Sequence, residues 1–450
     1  FPPHRRQRSL ALTRGAGGHA LAMAPIGDVQ ASPEEDPFEL ERVAAWIQQH
    51  GFRRVALQLP DVLLARAPRA VAQLRAVLPE AVRVFVLGDA SYGSSSVDEV
   101  AAAHYGADSL VHVGPSDQQH DGALPVLFVY GRAPLSCGGL NAAVAEALRD
   151  ASPEAPTSLA LVCDVALQHA APRVCAALEA ALAAGGAGAE DKVMLAEPAA
   201  EAASTEGYQV RHRDWRFGAL RTDSWWAAAL GPLGMAAVAK PNSLRICGRE
   251  VHFWRGKTPE SELETHPPTP AALRSLPEHC GLVLCDDVSA SPLERRVLLR
   301  YGSSRPLWRL DPRSGDMIRL SSHNLLLQRH RFVELAKDAA VVGLVLAATG
   351  ARHQEAMANR LETLLRRCGR RIYRFVVGRL TPEKLGNFPN VELFVSLASA
   401  EHFPWNCKEY MVPIASPYEV EVALGARLWT GDYVTDLEEL LTTSVDAACA

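Results

Sequence analysis

The sequence predicts an α/β protein with mainly parallel sheets, and three observations carry that prediction. Short apolar runs alternate along the chain with segments of helical period. Val84–Val100 passes from an apolar run (Val84, Phe85, Val86, Leu87) through a polar loop into a helix start. Blocks of this strand–loop–helix build occur three times, although no residue-level repeat is visible.

In chain order, residues 1–33 are expected to be a leader or disordered segment. Arg5, Arg6, Arg8 and Arg14 precede the first acid, Asp28. This composition resembles an organellar transit peptide; translated leader sequence ahead of Met23 is an equal alternative. Asp36 and Pro37 open a helix in which Leu40, Val43, Ala44 and Ile47 share a face and Gly51 closes it. A strand over 54–59 leads to Pro60-Asp61, which starts a helix with Val71, Leu74 and Leu78 on one face. The apolar run 84–87 reads as a central strand. Gly88, Asp89, Tyr92 and Gly93 then lie where an open parallel sheet releases its chain, the edge at which ligands bind. From the residues alone, the stretch reads first as a βα turn with a serine N-cap, Asp98 and Glu99 lying in the first helical turn. A helix through His104 and strands at 109–113 and 124–130 complete a first domain over 34–152.

The second domain spans 153–324. It has strands at 158–163 and 281–285, an alanine-rich helix over 174–184, and an irregular insertion at about 185–278. The third domain spans 325–442: a helix over 325–336, a strand over 341–346, a helix from about 352 to 368 with Met357, Leu361, Leu364 and Leu365 inward, then strands at 372–377 and 393–397. Residues 443–450 form a tail.

Composition excludes some functions. A net charge of -5 implies no nucleic-acid partner. No run of about 18 apolar residues implies no membrane span. Nine scattered cysteines without a C-x-x-C pair suit a reducing compartment. Phosphate-binding glycine fingerprints are absent.

GDASYGSSSVDEV (88–100) and VALQLPD (55–61) are similar to the segments GDTSYGSCCVDEV and VALQFPD, and through them the chain resembles the second subunit of diphthamide synthase, 2-(3-amino-3-carboxypropyl)histidine synthase. HYGADSLVHVGP (104–115), RLDPRSGDM (309–317), RFVELAKDAAVVGLVLAATG (331–350) and GRLTPEKLGNFPNVELF (378–394) also match. YMVPIASPYEVEVAL (410–424) and WTGDYVTDLEELL (429–441) match almost residue for residue. The resemblance covers roughly 36–175 and 281–441.

This resemblance implies three Rossmann-like domains around a central site, in a cytoplasmic heterodimer with catalytic subunit 1. It implies the first step of diphthamide formation. A 4Fe-4S cluster reduces S-adenosylmethionine, and the resulting 3-amino-3-carboxypropyl radical adds to a histidine of elongation factor 2, with a reducing partner protein supplying electrons. The family's cluster cysteines correspond to Ser95, Ser96, Asp117 and Ser399. Iron–sulfur clusters are held by thiolates, so no cluster is expected on this chain and no catalytic residue is assigned to it. The cluster is expected on the partner subunit.

Three alternatives stay open. Cys137, Cys163, Cys285 and Cys407 are candidate substitute ligands, though free cysteines are more often small buried hydrophobes. A divergent scaffold binding S-adenosylmethionine or another small ligand at the Gly88–Tyr92 loop is the second, and a degenerate gene the third. Weaker candidates are His104, His112 and His169, the strand-end acids Asp164, Asp286 and Asp287, and a basic surface of Arg360, Arg366, Arg367, Arg370, Arg371 and Arg374. That surface is either a docking patch or a solvated helix end.

Overall fold

The computed structural model describes residues 38–88, 95–116, 124–133, 135, 140–150, 156–184, 193–198, 201–202, 244–247, 249–254, 275–347, 353–378 and 380–442. The first sheet takes β1 (Arg54–Gln58), β2 (Arg83–Leu87), β3 (Ser109–Val113) and β4 (Val126–Val129), all parallel. Next along the chain come β5 (Ser158–Cys163), β6 (Val193–Glu197), β7 (Glu201–Ala202), β8 (Arg245–Ile246) and β9 (Arg249–Phe253), followed by β10 (Cys280–Cys285), β11 (Leu307–Leu310) and β12 (Met317–Leu320). The third sheet holds β13 (Val341–Ala347), β14 (Arg371–Val377), β15 (Leu393–Ser396) and β16 (Ile414–Ala415), again all parallel.

The strand orders are β2-β1-β3-β4-β7, β12-β11-β10-β5-β6-β9-β8 and β14-β13-β15-β16. Without the antiparallel additions β7, β8, β9 and β12, each sheet has one order: second, first, third, fourth. The chain therefore contains three units of one topology, a kinship that the residues do not display. Both faces of every sheet are buried, which is why β3, β4, β5 and β10 are buried along their whole length and mostly apolar rather than alternating. In the third sheet a Cβ on Gly343 would lie 2.7 Å from a Phe394 ring carbon, so the glycine is what lets that ring lie flat on the strand.

The predicted fold class holds, and several local readings are corrected. β2 is an edge strand, not a central one. Arg83 is exposed and Phe85 and Val86 are half-buried, as expected at an edge, while Val84 and Val86 face one core and Phe85 and Leu87 the other. The range 185–278 is not irregular throughout, since Val193–Glu197 is an inner strand of the second sheet. β7, from the same range, pairs with β4 and so belongs to the first sheet. The first helix, Leu40–His50, starts later than Asp36-Pro37, which lie outside the described residues; Gly51 closes it at φ 68° as expected. The helix after Pro60 is two pieces, Asp61–Leu64 and Ala67–Val77. Pro68 has no N–H to continue the ladder, so it begins the second piece.

Candidate functional site

β2 delivers the chain at Gly88, which is exposed. Asp89, Tyr92 and Gly93 lie outside the described residues, and the chain is next described at Ser95. Asp98, rather than a serine, caps the helix Glu99–His104; its carboxylate accepts from the Ala101 N–H at 2.9 Å. Gln58, buried at the end of β1, pins this loop to the sheet. Its Nε2 donates to the Ser96 carbonyl at 2.8 Å, and its Oε1 accepts from the Asp98 N–H at 2.9 Å.

The third sheet supplies the other half of the site. After β15, Gln354 Nε2 donates to the Leu397 carbonyl at 3.1 Å, and the His402 N–H donates to the Ser399 carbonyl at 2.9 Å. This turn lays the His402 imidazole over Ser399. Its Nδ1 is 2.8 Å from Ser399 Oγ and 3.5 Å from Ser96 Oγ, and its Nε2 is 3.0 Å from Ser95 Oγ. Each hydroxyl both donates and accepts, while a neutral imidazole does one at each nitrogen, so the contacts are compatible with either tautomer.

The second unit meets the same loop. Arg296, buried on the helix Pro292–Tyr301, donates to Glu401 Oε1 at 2.8 Å. Ser95, Ser96 and Ser399 are therefore brought together around one imidazole. Asp117 lies outside the described residues. His402 was invisible to sequence reasoning because it matches no ligand spacing; its one signal is its position three residues after Ser399.

The substitute cysteines do not gather there. Cys163 and Cys285 are register partners on β5 and β10, fully buried among aliphatic side chains. The hydrogen bond between the two thiols, together with burial, pushes Cys163 well above the ordinary thiol range. Cys407 packs against a different core in the third unit, and Cys137 lies outside the described residues. Among the described residues, no group of three or more His, Cys, Asp or Glu side chains is placed to hold a metal ion.

The weaker candidates have local partners. His112 is fully buried in β3, with Nε2 2.8 Å from the Pro115 carbonyl, and His169 Nδ1 is 3.1 Å from the Ala166 carbonyl. Asp164 caps the turn after β5 by accepting from the Ala166 N–H at 3.0 Å. Asp286 accepts from the Ser291 hydroxyl and from the Val288 N–H, yet burial outweighs both bonds and lifts its carboxyl to about 6. Half of the basic surface is neutralised within the chain. Arg374 bonds Glu355, Asn359 and Glu362, Arg366 pairs with Glu362, and Arg360 pairs with Glu421. Arg370 donates to main-chain carbonyls.

Three units of one parallel strand order, with segments of the first and third meeting at His402 and a helix of the second reaching Glu401 beside it, define the class: a multi-unit α/β protein with an inter-unit site. A family model for diphthamide synthesis proteins matches residues 59–207 and 290–434. Subunit 2 of 2-(3-amino-3-carboxypropyl)histidine synthase from Gallus gallus is 30% identical over 447 residues, covering 98% of this chain and 79% of its own. The Mus musculus subunit 2 is 30% identical over 415 residues, covering 88% and 71%. The chain belongs to the diphthamide synthesis protein family. Its fold is similar to that of Dph2 from Pyrococcus horikoshii, with TM-score 0.58 and 16% identity over 89% of this chain and 95% of that one. A second structure of that protein, with a 4Fe-4S cluster, aligns with TM-score 0.55 and 17% identity over 89% and 94%.

Proposed function

We propose that this chain is an accessory second subunit of a cytoplasmic diphthamide synthase that transfers the 3-amino-3-carboxypropyl group of S-adenosylmethionine to a histidine of elongation factor 2. Family membership supports the reaction, and the named relatives are subunits of such a synthase. The observation that carries the accessory role is the donor set at the centre. Ser95, Ser96, Ser399 and His402 offer hydroxyls and an imidazole, and no thiol. A four-iron cluster is held by thiolates, so these residues do not fit one. The cluster and the reducing step belong to the partner, catalytic subunit 1, which a reducing protein serves. This chain contributes the subunit interface and part of the surface that receives elongation factor 2. Among the described residues no helix is long and apolar enough to cross a membrane, in keeping with a complex that works away from lipid.

Co-expression with the cognate catalytic subunit, anaerobic purification and iron counting test this reading. One four-iron cluster per heterodimer, with modification of elongation factor 2, is the expected result. Two clusters per pair would overturn the reading of the serine positions, and failure to form any complex would overturn the subunit assignment.

A further inference from the structure

The contacts of His402 cross between units, and each side of the crossing is braced by hydrogen bonds of its own. On the third-unit side, Gln354 holds the Leu397 carbonyl and Trp405 Nε1 donates to the Ala400 carbonyl at 3.0 Å. The Arg329 guanidinium lies 5.0 Å from the centre of the Phe403 ring, directly after His402. On the first-unit side, Gln58 fixes the main chain at Ser96 and Asp98, and Asp98 caps the helix that follows. Contacts between two braced loops restrict the bodies that carry them, whereas contacts to a floppy side chain would not. One residue before His402, Glu401 reaches buried Arg296 in the second unit.

We propose that His402 is the clasp that fixes the first unit to the third, with Leu397–Trp405 as the braced arm that carries it and Glu401 as its anchor on the second unit. The imidazole stands between Ser95 and Ser399 and is bonded to both, so it occupies the space that separates those two loops. The clasp concerns this chain's own residues and does not rest on the subunit reading.

The test is hydrogen–deuterium exchange on the full 450-residue chain, comparing wild type with His402→Phe, which keeps a ring of similar size and removes both nitrogens. Exchange is expected to rise about tenfold in 95–104 and in 397–405 together, roughly the effect of losing two ordinary hydrogen bonds, while 341–347 is unchanged. Adding Ser95→Ala to His402→Phe should change 95–104 no further, because the bond is already gone. Ser95→Ala and Ser399→Ala alone each remove one contact and should show the same paired response at smaller amplitude; they carry the test if the histidine variant fails to fold. A rise confined to 397–405 in these variants, with 95–104 at its wild-type rate, overturns the clasp.

Discussion

Arg329 donates from Nε and from a terminal nitrogen to the two carboxylate oxygens of Glu419, at 2.6 and 2.7 Å, with both side chains buried. Tyr433 donates its hydroxyl to the same carboxylate at 2.8 Å, and Ser416 closes a capping box with Glu419. Breaking such a pair leaves a buried charge without its counter-ion, at a cost of about 3–5 kcal/mol. Arg329→Met should lose stability of that order in urea unfolding. A loss below about 1 kcal/mol would mean that water reaches Glu419 in the native state.

Gly343 faces Phe394 and Phe375, whose nearest ring carbons would lie 2.7 and 2.8 Å from an added Cβ. Gly343→Val forces the rings away and should destabilise by about 1–3 kcal/mol or more, read as a lowered melting temperature. An unchanged melting temperature would show that the sheet can shift to admit the side chain.

Asp286 gives a pH signature. Its folded carboxyl sits at about 6, against an ordinary value of 3.8, because burial disfavours its charge. The folded state then holds the proton more tightly than the unfolded one, so this group's stabilising contribution is complete below pH 3.8 and is lost as pH rises through 6. The contribution is worth about 3 kcal/mol at most. Asp286→Asn should flatten the fall in stability between pH 4 and 6 by up to that amount. Denaturant midpoints at both pH values check it; parallel curves for variant and wild type would count against a raised carboxyl.

Thiol reactivity separates structural cysteines from ligands. Burial raises Cys175 to about 12 and Cys280 to about 11, and Cys163 lies well above the ordinary range. The thiolate is the reactive form and all four of Cys163, Cys175, Cys280 and Cys285 are buried away from reagent, so iodoacetamide at pH 8 should leave them unmodified in the native protein and label them all in urea. Native labelling of Cys163 or Cys285, read by mass spectrometry, would reveal access to the β5–β10 strand ends.

The fold class was legible because buried parallel strands write themselves as unbroken apolar runs, as at Leu159–Cys163 and Leu282–Cys285. Position within a sheet was not. Val84–Leu87 has the composition of an inner strand and lies at an edge, because neighbours are chosen by tertiary contacts. The strand Val193–Glu197 was hidden by the Gly/Ala/Glu-rich sequence before and after it. At the centre, Ser95, Ser96 and Ser399 were found by resemblance, whereas His402 was missed, since a hydrogen-bonding histidine has no spacing rule to betray it. Nor did the sequence announce that Ser416, Glu419 and Tyr433 form one closed polar network.

The pairing of β7 with β4 bears on how the protein is made. Val126 and Leu127 meet Ala202 and Glu201 across that edge. A ribosome must therefore complete β5, a long helix and β6 before the first sheet receives its last strand. Until then the nascent first unit presents a bare, fully apolar edge at Val126–Val129, the kind of edge that recruits chaperones or foreign strands. A fragment ending near residue 152 would keep that edge permanently, so the first unit is not a separable module even though its parallel core is complete.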